Sequence, residues 1–140
     1  MILSSLLGIL AAVIALGFII FVHELGHFLV AKRSGVKVER FSIGFGPRLV
    51  GFTKGGTDYC LSLLPFGGYV KMKGEQPTDL RAFDPDSFAV APIRKRMAIV
   101  MAGPTMNVIF GVLVFAFAFM IGVPHVEEPP VVGFVYPNSP

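Results

Sequence analysis

Tryptophan is absent and cysteine occurs once, at Cys60, so no disulfide can close within the 140-residue chain and the redox compartment is left open. Cys60 lies in an alternating segment, where a small buried apolar residue is a simpler reading than a metal ligand. Charge is equally scarce. Asp, Glu, Lys and Arg make up 15% of the residues, against about 25% in an ordinary soluble domain. No formal charge occurs from Met1 to Val22, or again from Met97 to Val123. These absences exclude a soluble globular domain, and a hydrophobic content of 54% with mean hydropathy +0.72 agrees.

About 20 consecutive apolar residues cross a hydrocarbon core, and two stretches suffice: Ile2 to Val30 and Met97 to Val123. A cleaved secretory leader is disfavoured for the first, because no Lys or Arg precedes its apolar region and the run is too long. All 12 Lys and Arg lie between Lys32 and Arg96, offset there by six acids. The positive-inside rule places that connection in the cytoplasm, with both termini on the far side. The net charge of +3 is then juxtamembrane. It gives no sign of a nucleic-acid partner, and Arg94-Lys95-Arg96 reads as a lipid-headgroup anchor for the second span.

Inside the first span stands His23-Glu24-Leu25-Gly26-His27. A helix carries residues four apart on one face, so His23 and His27 can offer ring nitrogens to one metal while Glu24 reaches the water beside it. Ionisable groups are costly in a span and mark function there. The pattern therefore predicts a Zn²⁺ site with His23 and His27 as ligands and Glu24 as general base. Gly26, unfavourable in a helix, predicts close approach of another backbone or of substrate. A catalytic zinc needs a third protein ligand. His125 falls at the opposite membrane surface, and Asp58, Glu75, Asp79, Asp84 and Asp86 read as solvated loop charges.

Between the spans, Glu39 to Lys73 alternates large apolar with small residues, predicting a small antiparallel sheet with turns at Gly55-Gly56 and Gly67-Gly68. Both its faces are apolar enough for it to dip into the bilayer. Gly74 to Pro92 is polar and proline-punctuated, a surface connection with a short helix expected around Ser87. Read alone, Gly103-Pro104 is a kink and Asn107 a polar residue in need of a partner. Glu127-Glu128-Pro129-Pro130 breaks the second helix, and a strand-like pattern resumes from Val131.

Four ordered motifs carry a resemblance: Phe21-Val22-His23-Glu24-Leu25-Gly26-His27-Phe28, then Val38 to Gly46, then Leu64 to Met72, then Ala102-Gly103-Pro104 with Asn107. Over nearly its whole length the chain resembles the site-2-protease family of intramembrane zinc metalloproteases (peptidase family M50), most closely the bacterial type that regulates sigma-E. The resemblance implies that His23 and His27 bind zinc, that Glu24 is catalytic, and that the region from Phe41 to Met72 is a membrane-reentrant sheet receiving substrate. It implies further that Gly67, Gly68, Tyr69, Gly103 and Asn107 line the site. The family's third ligand, an Asp in a later span, has no counterpart here. Residues 131–140 resemble the opening of a PDZ domain, so the chain is expected to be the N-terminal portion of a longer enzyme and inactive by itself.

The expected architecture is an α-helical integral membrane protein: residues 1–31 a first transmembrane helix, 32–93 a cytoplasmic-side segment with the reentrant sheet, 94–124 a second transmembrane helix, and 125–140 a linker and PDZ start. The expected activity is intramembrane zinc endoproteolysis of single-pass membrane proteins, in regulated proteolysis such as anti-sigma-factor release. The expected location is the bacterial inner membrane, with the active site toward the cytoplasm. Two rivals remain: a non-catalytic membrane scaffold of the same fold, which Glu24 argues against, and a metal transporter, for which the second span offers few polar ligands.

Overall fold

The computed structural model describes residues 2–76 and 78–122. His125, the linker and the expected PDZ start lie outside the described residues. Four elements follow one another: helix α1 (Ile2–Arg33), strand β1 (Val38–Lys54), strand β2 (Thr57–Met72) and helix α2 (Ile93–Ile121). At 1.5 Å per residue the helices are about 48 and 43 Å long, more than the ~30 Å of a hydrocarbon core. Both are long and apolar enough to cross a membrane, and almost none of the residues in their apolar stretches is buried within the protein. A soluble protein's core helix would be buried instead.

Local chemistry sets the helix ends. Lys32 and Arg33 occupy the last turn of α1, where the helix dipole favours cations. Gly35 then takes a left-handed φ of 81°, and the Val36 and Gly35 amides donate to the carbonyls of Ala31 (3.0 Å) and Lys32 (3.3 Å). This pair of bonds is a Schellman closure, which satisfies carbonyls the helix would otherwise leave bare. Helix α2 starts directly after Pro92, four residues before the apolar stretch, so Arg94, Lys95 and Arg96 are helical. Lys95 reaches across to donate to the carbonyl of Ser34 at 2.9 Å, tying the two helix ends together.

The two strands form one sheet and pair antiparallel, but each is folded over. Arg40–Ile43 pairs on one side with residues 68–71 and on the other with 58–61, while 48–54 pairs with 57–62. Four extended segments therefore lie side by side in the order 48–54, 57–62, 40–43, 68–72. Along the inner pairing the residue numbers rise together, Arg40 with Asp58 through Ile43 with Leu61, which is the sense of a parallel ladder. The antiparallel sheet expected from the sequence is present, and this one inner ladder within it runs in the parallel sense. Its cause is the backbone between residues 44 and 47: Gly44 and Gly46 adopt φ of 87° and 89°, values other residues rarely take, and turn β1 back on itself.

A hairpin turn forms at Gly55-Gly56 as expected, but Gly67-Gly68 is not a turn between strands. It lies within β2, where Gly67 (φ 103°) bends the strand and Gly68 resumes pairing with Ile43. The connection around Ser87 contains turns and no helix. Its backbone is drawn aside to other partners: the Phe88 amide donates to the Lys73 carbonyl at 2.8 Å and the Lys37 amide to the Asp86 carbonyl at 2.9 Å. Buried Ser87 donates to the Ala82 carbonyl at 2.7 Å.

The core gathers where the last turns of α1, the first half of β1, the end of β2 and α2 meet. Ala31, Val36, Val38, Phe41, Val70, Met72 and Ile99 are buried there. Buried hydroxyls in the sheet are paired: Ser42 and Ser62 hydroxyls meet at 2.9 Å, and the Thr57 hydroxyl donates to the Val38 carbonyl at 2.8 Å. Farther out the sheet is apolar and uncovered, with Phe45, Leu49, Val50, Phe52, Leu61, Leu63 and Leu64 exposed.

Candidate active site

Contacts between α1 and α2 run in opposite order along the two helices, His27 with Ile99 and His23 with Asn107, so the helices are antiparallel, and they approach closely at Gly26. A methyl group there would overlap the carbonyl oxygen of Ala102. The sequence expectation of a backbone neighbour at Gly26 is thus met by α2. This approach brings one row of α2, spaced four residues apart, against the histidines.

His27 Nδ1 lies 2.7 Å from the carbonyl oxygen of Ile99, an acceptor only, so the imidazole must donate from Nδ1 and hold its lone pair on Nε2. His23 Nδ1 lies 3.2 Å from the Asn107 side-chain amide. Between these two contacts sits Gly103, and a side chain there would overlap both imidazoles, coming 2.6 Å from His23 Nε2 and closer still to His27 Nε2. The two Nε2 atoms converge to 3.1 Å. Ile99, which contributes only a backbone oxygen, has no side-chain chemistry to announce it in the sequence. What could have revealed it is its place four residues before Gly103 and eight before Asn107.

Two nitrogens held about 2.0–2.1 Å from one zinc in a tetrahedral arrangement stand roughly 3.3–3.4 Å apart, so the observed 3.1 Å fits a shared metal with little adjustment. The donors are also of the right kind, borderline-soft imidazoles whose outer nitrogens are already engaged. Two candidate ligands are in place. No cluster of three or more His, Cys, Asp or Glu suited to a metal occurs among the described residues.

Glu24 and His27 open onto a cavity of about 380 Å³ lined also by Tyr69, Val70, Met72, Glu75 and Phe88. Gly68 comes against Glu24, since a side chain at Gly68 would meet Cγ of Glu24 at 3.3 Å. Tyr69 stacks on Phe45 and its hydroxyl accepts a bond from Arg40 at 3.3 Å. The structure therefore brings His23, Glu24, His27, Gly68, Tyr69, Gly103 and Asn107 together. Gly67 stands apart, pressed against the Phe45 ring.

The loop acids have other employment. Asp58 pairs with Arg40 at 3.0 Å and Arg48 at 3.1 Å and is only 16% exposed, so it is not a solvated charge. Asp84 and Asp86 both pair with Lys73 at 2.7 Å. Hydrogen bonds from Arg81 hold the Asp79 carboxyl down to about 2. Burial raises the pKa of Glu39, but Arg81 and Lys71 outweigh it and leave the group below the usual carboxylate range. Of the five loop acids considered as ligands only Glu75 lines the cavity beside Glu24; its carboxylate accepts the Met72 amide at 3.2 Å.

The sequence pattern of Peptidase family M50 matches residues 11–135. The chain is 47% identical over 142 aligned residues to the regulator of sigma-E protease RseP of Salmonella typhimurium, covering 98% of this chain and 30% of that protein. The corresponding Escherichia coli K12 protein is 46% identical, with the same coverage. A Vibrio cholerae protein assigned by name to the zinc metalloproteases is 48% identical over 93% of this chain and 29% of its own length. The chain thus spans about 30% of the length of these relatives.

Proposed function

Because the chain belongs to peptidase family M50, we propose that it forms the first part of the catalytic unit of a zinc endopeptidase that cuts single-pass membrane proteins within or near the bilayer. The observation that carries this reading is the convergence of His23 and His27 Nε2 at 3.1 Å beside Glu24. Two bare apolar helices support a membrane setting, and the basic residues between them support an orientation with the site toward the cytoplasm of a bacterial inner membrane. Release of an anti-sigma factor is the regulatory use favoured, since the Salmonella relative bears the name of a sigma-E regulator.

Zinc, when bound, supplies a Lewis acid that polarises a peptide carbonyl and makes water a usable nucleophile at neutral pH. His23 and His27 would hold it as neutral imidazoles. Glu24 accepts a proton from the attacking water at its carboxylate and returns it to the leaving amine. Gly103 keeps α2 out of the space in front of both ring nitrogens. Segment 68–72 is an edge of the sheet and Gly68 touches Glu24, so an extended peptide that adds to this edge arrives with its backbone beside the acid. Tyr69 and Gly67 shape that edge.

The test is Glu24→Gln in the full-length protein, read by zinc content and by cleavage of a membrane-tethered reporter. Retained zinc with cleavage lowered by a factor of about 10² or more is expected for loss of the general base. Undiminished cleavage would overturn the mechanism, and wild-type protein that binds zinc yet cuts nothing would favour the scaffold reading.

A further inference from the structure

At 3.1 Å the His23 and His27 Nε2 atoms must share either a proton or a cation, because two lone pairs cannot face each other at that distance. His27 presents a lone pair in both cases, since its Nδ1 proton is committed to the Ile99 carbonyl. The choice therefore rests with His23, whose other nitrogen is hydrogen-bonded, among the described residues, to the Asn107 side chain.

When a proton lies between the rings, it sits on His23 Nε2. His23 Nδ1 is then an acceptor, and the Asn107 amide nitrogen donates to it across the 3.2 Å contact. One directed chain results, from Asn107 through His23 and His27 to the Ile99 carbonyl. In this orientation Asn107 Oδ1 is buried with no hydrogen-bond partner among the described residues, which is unfavourable for a buried acceptor. When a cation lies between the rings, both Nε2 lone pairs must face it. His23 then carries its proton on Nδ1, and Asn107 must present oxygen there, not nitrogen.

We propose that Asn107 is a two-state positioning residue whose side-chain amide turns over when the metal binds, donating from Nδ2 to His23 before binding and accepting at Oδ1 from His23 Nδ1–H afterwards. His23 stays neutral throughout: it releases one proton from Nε2 and takes one up on Nδ1, by exchange with solvent. Asparagine suits this role because its amide is donor and acceptor in nearly the same shape. Aspartate could only accept, and leucine could do neither. The inference rests on the zinc reading above but concerns how the ligand is prepared, not what is cleaved.

The experiment uses full-length protein in detergent, with zinc affinity measured by chelator competition and the His23 tautomer read from imidazole ¹⁵N shifts with and without Zn²⁺. Wild type is expected to change His23 from the Nε2–H to the Nδ1–H form on binding. Asn107→Leu is expected to bind zinc about 10- to 100-fold more weakly, the usual effect of losing an outer-sphere partner. Asn107→Asp, which can still accept from His23 Nδ1–H in the metal-bound form, is expected to keep wild-type affinity or better, which separates a lost acceptor from a misfolded variant. An Nδ1–H form in metal-free wild type, or equal affinity in wild type and Asn107→Leu, would overturn the proposal. Wild-type zinc binding that survives His23→Ala/His27→Ala would instead overturn the underlying site.

Discussion

Gly26 of α1 packs directly on the backbone carbonyl of Ala102 in α2, and nothing larger than hydrogen fits between them. Replacing Gly26 by Ala improves helix propensity by about 1 kcal/mol but forces the helices apart, because the nearest neighbour is the Ala102 backbone, which cannot yield as the Met106 side chain beside it can. Overpacking of this kind costs about 1–3 kcal/mol. Gly26→Ala is therefore expected to destabilise the protein and weaken metal binding together, since the same contact delivers Ile99 and Asn107 to the histidines. Thermal unfolding in detergent and zinc titration check this; a more stable variant with unchanged affinity would contradict it.

Gly103 has the opposite sensitivity. A methyl group there meets imidazoles, which can rotate, and not backbone. Gly103→Ala should leave helical circular dichroism unchanged while zinc per chain falls severalfold, because the rings must swing off the positions at which their Nε2 atoms converge. Metal analysis beside a circular dichroism spectrum tests the pair of outcomes.

Acid should loosen the 74–92 connection before it affects the helices. Asp79 is held at about 2 by Arg81 and also accepts the Gly74 amide at 3.1 Å. A carboxyl whose folded pKa is depressed stabilises fully above its unfolded value, near 3.9, and loses that contribution as pH falls through the folded value. Amide exchange protection at Gly74 and Arg81 is expected to hold from neutral pH to about 4 and decline between about 4 and 2. Asp79→Asn should abolish that pH dependence; a decline already complete at pH 5 would refute the assignment.

The helices and the histidine pair were legible because their signals are local. Charge-free runs gave a first helix over residues 1–31, and α1 continues to Arg33; the second was expected over 94–124, and α2 covers Ile93–Ile121. Arg94, Lys95 and Arg96 are good helix formers and carry the helix past its apolar part. The sheet was legible in extent and not in order. Alternation identifies a strand but carries no record of its partner, so the fold-over at Gly44 and Gly46 and the parallel inner ladder could not be read from it. Asp58 was misjudged for a similar reason, as Arg40 and Arg48 reach it only once β1 has doubled back. Asn107 was singled out by polarity in an apolar span, while its contact with His23, 84 positions away, belongs to helix packing.

The doubled-back sheet also acts as a lever. Segment 40–43 is gripped on both sides, by 58–61 and by 68–71, and its root is clasped where the Lys73 amide donates to the Lys37 carbonyl at 2.9 Å. The edge beside Glu24 is thus positioned by three backing segments and not by a loose loop. Any peptide pairing with that edge inherits its register from bends at Gly44, Gly46 and Gly67, remote in sequence from Glu24. If the proposed proteolysis holds, a change at those bends should move the point of cut along a substrate without altering the chemistry that makes it.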